Sequence, residues 1–181
     1  MIEELRKQTE SVLVQVRDAT GNFREMDRLE AVQNLPAPAS ASVTALAGRA
    51  RDFRATLGYE VVAYECLAEI EAVEGLVLVD EITRDIAAKD TPGARKKLLG
   101  FLNRYHEPTA DNQKPLWRYL TSASSLCDRL EKEAEPHLRK AQSLQSLGNK
   151  SEALREYQEI YRIYPNPATA AKIRQFESES R

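Results

Sequence analysis

The strongest constraint on this fold is a hydrophobic seam at the start of the chain. Ile2, Leu5, Thr9, Val12, Val16, Ala19, Phe23 and Met26 follow one another at alternating steps of three and four residues. Such steps place every member on one side of an α-helix, whereas a strand repeats every two residues. A helix over residues 2–34 would be about 50 Å long at about 1.5 Å per residue. Its seam has to lie against a partner, either the next helix or a second copy of the chain. Gly21 sits inside the pattern and costs about 1 kcal/mol relative to alanine, so a bend near Gly21-Asn22 is expected.

The stop is written in Asn34-Leu35-Pro36-Ala37-Pro38. Each proline lacks an N–H and crowds the preceding turn, so the helix cannot continue. Ser40 or Ser42 can cap the next helix, in which Val43, Leu46, Ala50, Phe53 and Leu57 repeat the seam. The two helices have the lengths of an antiparallel hairpin. Residues 59–82 are apolar on two faces, Val62, Cys66, Ile70, Val73 and Val77 on one and Tyr64, Leu67, Leu78 and Ile82 on the other. That pattern reads as a buried helix. Tyr59 to Val62 and Leu76 to Val79 are rich in strand formers, but no hairpin turn separates them.

Lys89-Asp90-Thr91-Pro92-Gly93 is a joint: Asp90 or Thr91 can cap, and Pro92 suits the first helical position. The helix expected over 94–106 buries Leu98, Leu99, Leu102 and Tyr105 and turns Arg95, Lys96, Lys97 and Arg104 outward. A polar loop over 107–114 follows. Pro115 opens a further helix with Leu116, Leu120, Ala123, Cys127, Leu130 and Ala134 at helical spacing, and Glu135-Pro136 is expected to break or kink it.

Beyond that point comes Gly148-Asn149-Lys150-Ser151-Glu152-Ala153-Leu154-Arg155-Glu156-Tyr157, then Ile160 and Tyr164-Pro165-Asn166-Pro167. Gly148 can take positive φ and end a helix. Asn149 and Glu152 stand as an N-cap and its N3 partner in a capping box. Ala153 is small where two helices cross, Tyr157, Ile160 and Tyr161 form a buried stripe, and Asn166-Pro167 restarts the chain as a helix. Residues 134–167 resemble one tetratricopeptide repeat, a helix–turn–helix of 34 residues, and the short helix after it resembles the capping helix of such arrays. Ala141 and Leu144 fit the family pattern. His137 and Lys140 depart from it, standing where an aromatic and a leucine are usual. The rest of the chain resembles no family. The resemblance implies that ligands lie along the face of the repeat's first helix, where Gln142, Gln145 and Ser146 are the exposed candidates and Leu138 the apolar contact.

The formal net charge of −2 conceals an asymmetry. Residues 1–90 carry ten Lys/Arg against seventeen Asp/Glu, and residues 91–181 carry sixteen against eleven. Acidic and basic halves attract each other within a chain or between chains. No Lys or Arg falls between Arg54 and Arg84, which disfavours nucleic acid or anionic lipid along that stretch. The basic residues Arg95, Lys96, Lys97 and Arg104, with Lys114 and Arg118, could meet phosphates, an acidic protein, or the acidic 60–81 stretch of the same chain.

Chemistry-bearing patterns are weak. Leu76-Val77-Leu78-Val79-Asp80-Glu81 has the form of a Walker-B strand, but no glycine-rich phosphate loop accompanies it. His106 and His137 have no second histidine or cysteine at ligand spacing. Thr121-Ser122-Ala123-Ser124-Ser125 lacks the glycines of a nucleophile elbow and suits close helix packing. Cys66 and Cys127 read as separate thiols in a reducing, cytoplasmic compartment. No apolar run reaches the roughly 18–20 residues that span a bilayer; an anchor would have to lie in a longer protein. The expected fold class is all-α, a long antiparallel hairpin over 1–89 followed by short helices over 90–181 that end in a tetratricopeptide-like unit. The expected function is a protein–protein interaction module (adaptor, scaffold or assembly subunit) with no catalytic activity, metal or cofactor, whose partner is another protein or a second copy. A basic nucleic-acid-associated protein using the 94–118 patch is the alternative.

Overall fold

The computed structural model describes residues 62–109, 111 and 114–179, together with Lys7, Ser11, Arg28, Leu29 and Val32; in the first helix side chains are described from Glu71 onward, Val73 excepted. Of these residues 83% are helical and none lies in a strand, which makes the described chain all-α. The helices are α1 (Val62–Ala87), α2 (Thr91–Leu102), α3 (Lys114–Ser146), α4 (Lys150–Ile163) and α5 (Pro167–Glu179). The strand formers Leu76 to Val79 therefore lie in a helix. The expected pairing of the 2–34 seam with 43–57 falls outside the described residues.

Two apolar clusters hold the helices together. The first joins Ala72, Leu76, Leu78, Val79, Ile82 and Ile86 of α1 to Ala94 and Leu98 of α2 and to Leu116, Tyr119, Leu120, Ala123, Leu126 and Cys127 of α3. The register of α1 differs from the sequence reading: Val77 is only half-buried, and the fully packed stripe runs through Leu76, Val79, Ile82 and Ile86. The reason is Gly75, where α1 comes closest to its neighbours. A Cβ there would stand 3.1 Å from Leu116 Cδ2 and 3.3 Å from Phe101 Cζ. Val32 belongs to the same cluster, fully buried, and its carbonyl accepts from the Tyr119 hydroxyl at 2.9 Å and from Thr83 Oγ1 at 3.3 Å. The upstream chain is thus tied to α1 and α3 at this point.

The second cluster joins Ala134 and Ala141 of α3 to Ala153, Tyr157, Ile160 and Ile163 of α4, with Tyr164 and Phe176 of α5. Ala141 and Ala153 are both fully buried, as close crossing of the two helices requires. Tyr161, expected in the buried stripe, is half-exposed, and Ile163 takes its place. Leu130 packs against both clusters.

Of the break or kink expected at Glu135-Pro136, the break does not occur: α3 continues through Pro136 for 33 residues. An interior proline costs about 3 kcal/mol through the lost hydrogen bond and the ring clash. Pro136 and Lys132 are both exposed, so the carbonyl left without its donor is on the wet side of the helix. Each large apolar side chain removed from water contributes about 1.5–3 kcal/mol. Tyr157, Ile160 and Ile163 of α4 against this half of α3 are enough to offset the proline. Similarly, the helix expected over 94–106 ends at Leu102, with Asn103 donating to Leu99 O, and Leu99 and Leu102 are only half-buried.

Two helices end in the same left-handed turn. After α3, Gly148 has φ +77°, its N–H donates to Gln145 O, and Asn149 N–H donates to Leu144 O. After α1, Lys89 has φ +62°, its N–H donates to Ile86 O, and Asp90 N–H donates to Asp85 O. Both are Schellman caps. The first settles why Asn149 makes no side-chain cap although it is the N-cap residue of α4. Its N–H is held by the turn and its exposed side chain is left to water, so the expected capping box does not form. The other two caps form as the sequence implies: Asp90 Oδ1 accepts from Gly93 N–H at 3.1 Å and Asn166 Oδ1 from Thr169 N–H at 2.8 Å.

The paired turns predict opposite effects of opposite substitutions. Gly148→Ala forces a Cβ into the left-handed region and lowers stability by about 1 kcal/mol. Lys89→Gly relieves the same strain, partly offset by a more flexible unfolded chain, and raises stability by up to about 1 kcal/mol. Urea melts of both variants check the signs.

Candidate functional site

The residues expected to contact a partner lie on the C-terminal half of α3. Here the burial pattern is decided by α4: Ala134 and Ala141 face it, His137 and Leu144 flank them, and the remaining positions look outward. Leu138 is 39% exposed. Gln142, Gln145 and Ser146 are exposed as expected. They are not equally available. Gln145 Oε1 accepts from the Tyr157 hydroxyl at 2.9 Å and holds the α3–α4 crossing together. Ser146 Oγ donates back to Ser143 O at 2.7 Å. Leu138 and Gln142 remain as the outward pair.

His137 and Lys140, the two departures from the repeat pattern, have a shared structural role. Both reach Glu156 on α4, His137 Nδ1 lying 2.7 Å from Oε2 and Lys140 Nζ 2.5 Å from Oε1. The Lys140 hydrogen bond, then that of His137, holds the Glu156 carboxyl below the usual carboxylate range. The clasp crosses the helix pair where an apolar contact would otherwise sit. A carboxylate with a lowered folded-state pKa stabilises above its unfolded value, and the contribution disappears as pH falls through the folded one. Glu156→Gln should therefore lower the melting temperature at pH 7. The gap to wild type should begin to narrow below about pH 4, where the unfolded carboxyl protonates, and close once the pH has fallen through the lower folded-state pKa. Thermal melts across pH 3–7 read both outcomes.

The basic face of α2 is largely spoken for. Arg95 Nε lies 2.6 Å from Asp128 Oδ1 and 3.4 Å from Glu131 Oε2, both on α3. Lys97 Nζ lies 2.8 Å from Asp85 Oδ2 and 3.8 Å from Glu81 Oε2, both on α1. The acidic stretch of the chain is thus one of the partners of its own basic helix. Lys96 and Arg104 are exposed.

The weak chemical patterns dissolve into packing. Leu76, Leu78 and Val79 are core residues of α1, and Asp80 pairs with Arg84 one turn on. Ala123 and Ser124 are buried between helices. Cys127 is a free thiol, and burial, aided by the nearby Asp128 charge, pushes its pKa up to about 11, so it is a poor nucleophile. Among the described residues no three His, Cys, Asp or Glu side chains gather as a metal site, and no helix is long and apolar enough to cross a membrane.

One feature escaped the sequence reading. Glu71 and Ala72 of α1, Phe101 of α2, Tyr105, His106 and Pro108 of the following loop, and Leu116, Trp117 and Leu120 of α3 line a small cleft whose enclosed volume is about 20 Å³, room for about one water molecule. Phe101 stands centrally, its ring centroid 4.8 Å from Tyr105 and 6.1 Å from Trp117. These residues come from three elements and share no periodic signature, so only the fold brings them together.

Comparison with protein-family profiles, curated proteins and solved structures gives no match to this chain.

Proposed function

We propose that this chain is a protein–protein interaction module, an adaptor, scaffold or assembly subunit without catalytic activity, and that a partner segment lies along the outward face of α3. The observation that carries the reading is Leu138, 39% exposed beside Gln142 at the edge of the face that Ala134 and Ala141 turn to α4, a crossing held by Ala153 and the Glu156 clasp. A rigid helix that presents an apolar side chain among neutral polar ones suits a peptide or a partner helix. The resemblance of 134–167 to a tetratricopeptide repeat supports the same face. Because one such unit cannot bury its own faces, the α1–α3 cluster takes the place of neighbouring repeats. The buried free thiol of Cys127 agrees with a reducing, cytoplasmic setting.

The nucleic-acid alternative loses ground to the ion pairs of α2. Phosphate binding draws on cations free to release counterions, and Arg95 and Lys97 already face four carboxylates.

Leu138→Glu combined with Gln142→Glu should change stability by no more than about 1 kcal/mol, as exposed substitutions do, while weakening capture of the partner. Affinity capture with tagged wild type and variant, beside thermal melts of each, separates the two effects. If the double variant captures the same protein as wild type and Lys96→Glu does not, the interaction surface is α2 and this reading fails.

A further inference from the structure

The aromatic cleft joins three features that together select a ligand. Its floor is apolar, formed by the buried Ala72, Leu116 and Leu120. Its walls are the contiguous rings of Tyr105, Phe101 and Trp117. Its rim carries Glu71, half-buried and without a hydrogen-bond or ion-pair partner among the described residues. Burial raises the Glu71 pKa, the neighbouring Glu74 raises it further, and His106 opposes them. A carboxylate in such a place gains from an incoming positive charge, because the charge removes the cost of holding it away from water.

Nearby contacts bear on this. The Tyr105 hydroxyl donates to Glu74, which fixes the ring and adds a second negative group beside the cleft. The Arg104 guanidinium lies 5.8 Å from the centroid of the Tyr105 ring, outside the cleft lining, so this aromatic surface already attracts a cation. The enclosed space of the cleft is only about that of one water molecule, so the charged tip of a ligand sits beside Glu71 and no larger group enters. That excludes a bulky quaternary ammonium and fits the tip of a primary amine whose methylene stem lies against the rings.

We propose that this cleft binds a primary alkylammonium group, with Glu71 as its counterion and Phe101, Tyr105 and Trp117 as its apolar walls. Two sources share that chemistry: a free organic amine, and a lysine side chain presented by a partner protein. The site is separate from the α3 face proposed above, since Trp117 and Leu138 are about 30 Å apart along the helix at about 1.5 Å per residue.

Trp117 is the chain's one tryptophan, so its emission reports directly on the cleft. The full chain is titrated at constant ionic strength with n-butylammonium, with neutral n-butanol, with tetramethylammonium, and with a blocked tripeptide carrying a central lysine. The expected result is a saturable shift of Trp117 emission with butylammonium and with the lysine peptide, in about the millimolar range for so few atoms, and none with tetramethylammonium. Butanol should bind about tenfold or more weakly. Glu71→Gln should lose the same factor, and Glu71→Asp should keep most of the binding, while circular dichroism shows both variants folded. Tighter binding of the peptide assigns the source to a partner's lysine, and tighter binding of butylammonium assigns it to a free amine. Equal binding of amine and alcohol, equal binding by wild type and Glu71→Gln, or no saturable change with either amine up to about 0.1 M overturns the proposal.

Discussion

The architecture depends on α3 continuing as one helix past Pro136. Its first half supplies the core that α1 and α2 cover, and its second half supplies the surface on which α4 and α5 fold back. A break at residue 136 would leave the two clusters without a common axis, although Leu130 packs against both and Thr91 N–H donates to Pro165 O. The proline is tolerated because it lies on the exposed side, while the dry side carries Ala134 and Ala141. Small residues on that side let α4 approach closely, and close approach buries Tyr157 and Ile160.

Electrostatics refine this packing without creating it. The carboxylates of Glu81 and Asp85 on α1 and of Asp128 and Glu131 on α3 flank the cations of α2. Most of these side chains are a third or more exposed, and exposed pairs contribute only about 0.2–1 kcal/mol each. Their larger effect is on orientation. They lie on either side of α2 when Ala94 and Leu98 point into the core, and so agree with the face that apolar burial selects. The same pairing consumes much of the positive field that the composition of residues 91–181 would otherwise display.

Two surfaces among the described residues are the proposed contact sites. The outward stripe of α3 offers an apolar side chain among neutral polar ones, on a helix made rigid by its other face. The cleft between α1, α2 and the start of α3 offers aromatic walls and a half-buried carboxylate whose desolvation the nearby His106 offsets only in part. The first suits a peptide or helix, the second a single charged side chain or amine. Lying far apart on α3, they need not compete. An interaction module that grips an extended partner at both places would gain from linkage as well as from contact.

Local chemistry was readable in the sequence wherever one residue type answers one backbone need. The glycine at 148 ends a helix because positive φ suits it, Asp90 and Asn166 cap because their side chains reach free N–H groups, and Ala153 marks a close crossing because nothing larger fits. Helical class was readable too, from steps of three and four residues. Three-dimensional context decided the rest. Pro136 reads as a breaker until one knows that it is on the wet side of a helix held from the dry side. Tyr161 and Val77 match an apolar period but lie at the margins of their stripes, because a period fixes a face only to within the width of a side chain. Gln145 reads as a free contact until the Tyr157 hydroxyl is found on it. Glu71, Phe101, Tyr105 and Trp117 are far apart in sequence and obey no common period. Only the mutual packing of α1, α2 and α3 sets them around one cleft, since a pocket is a relation between elements and no single element encodes it.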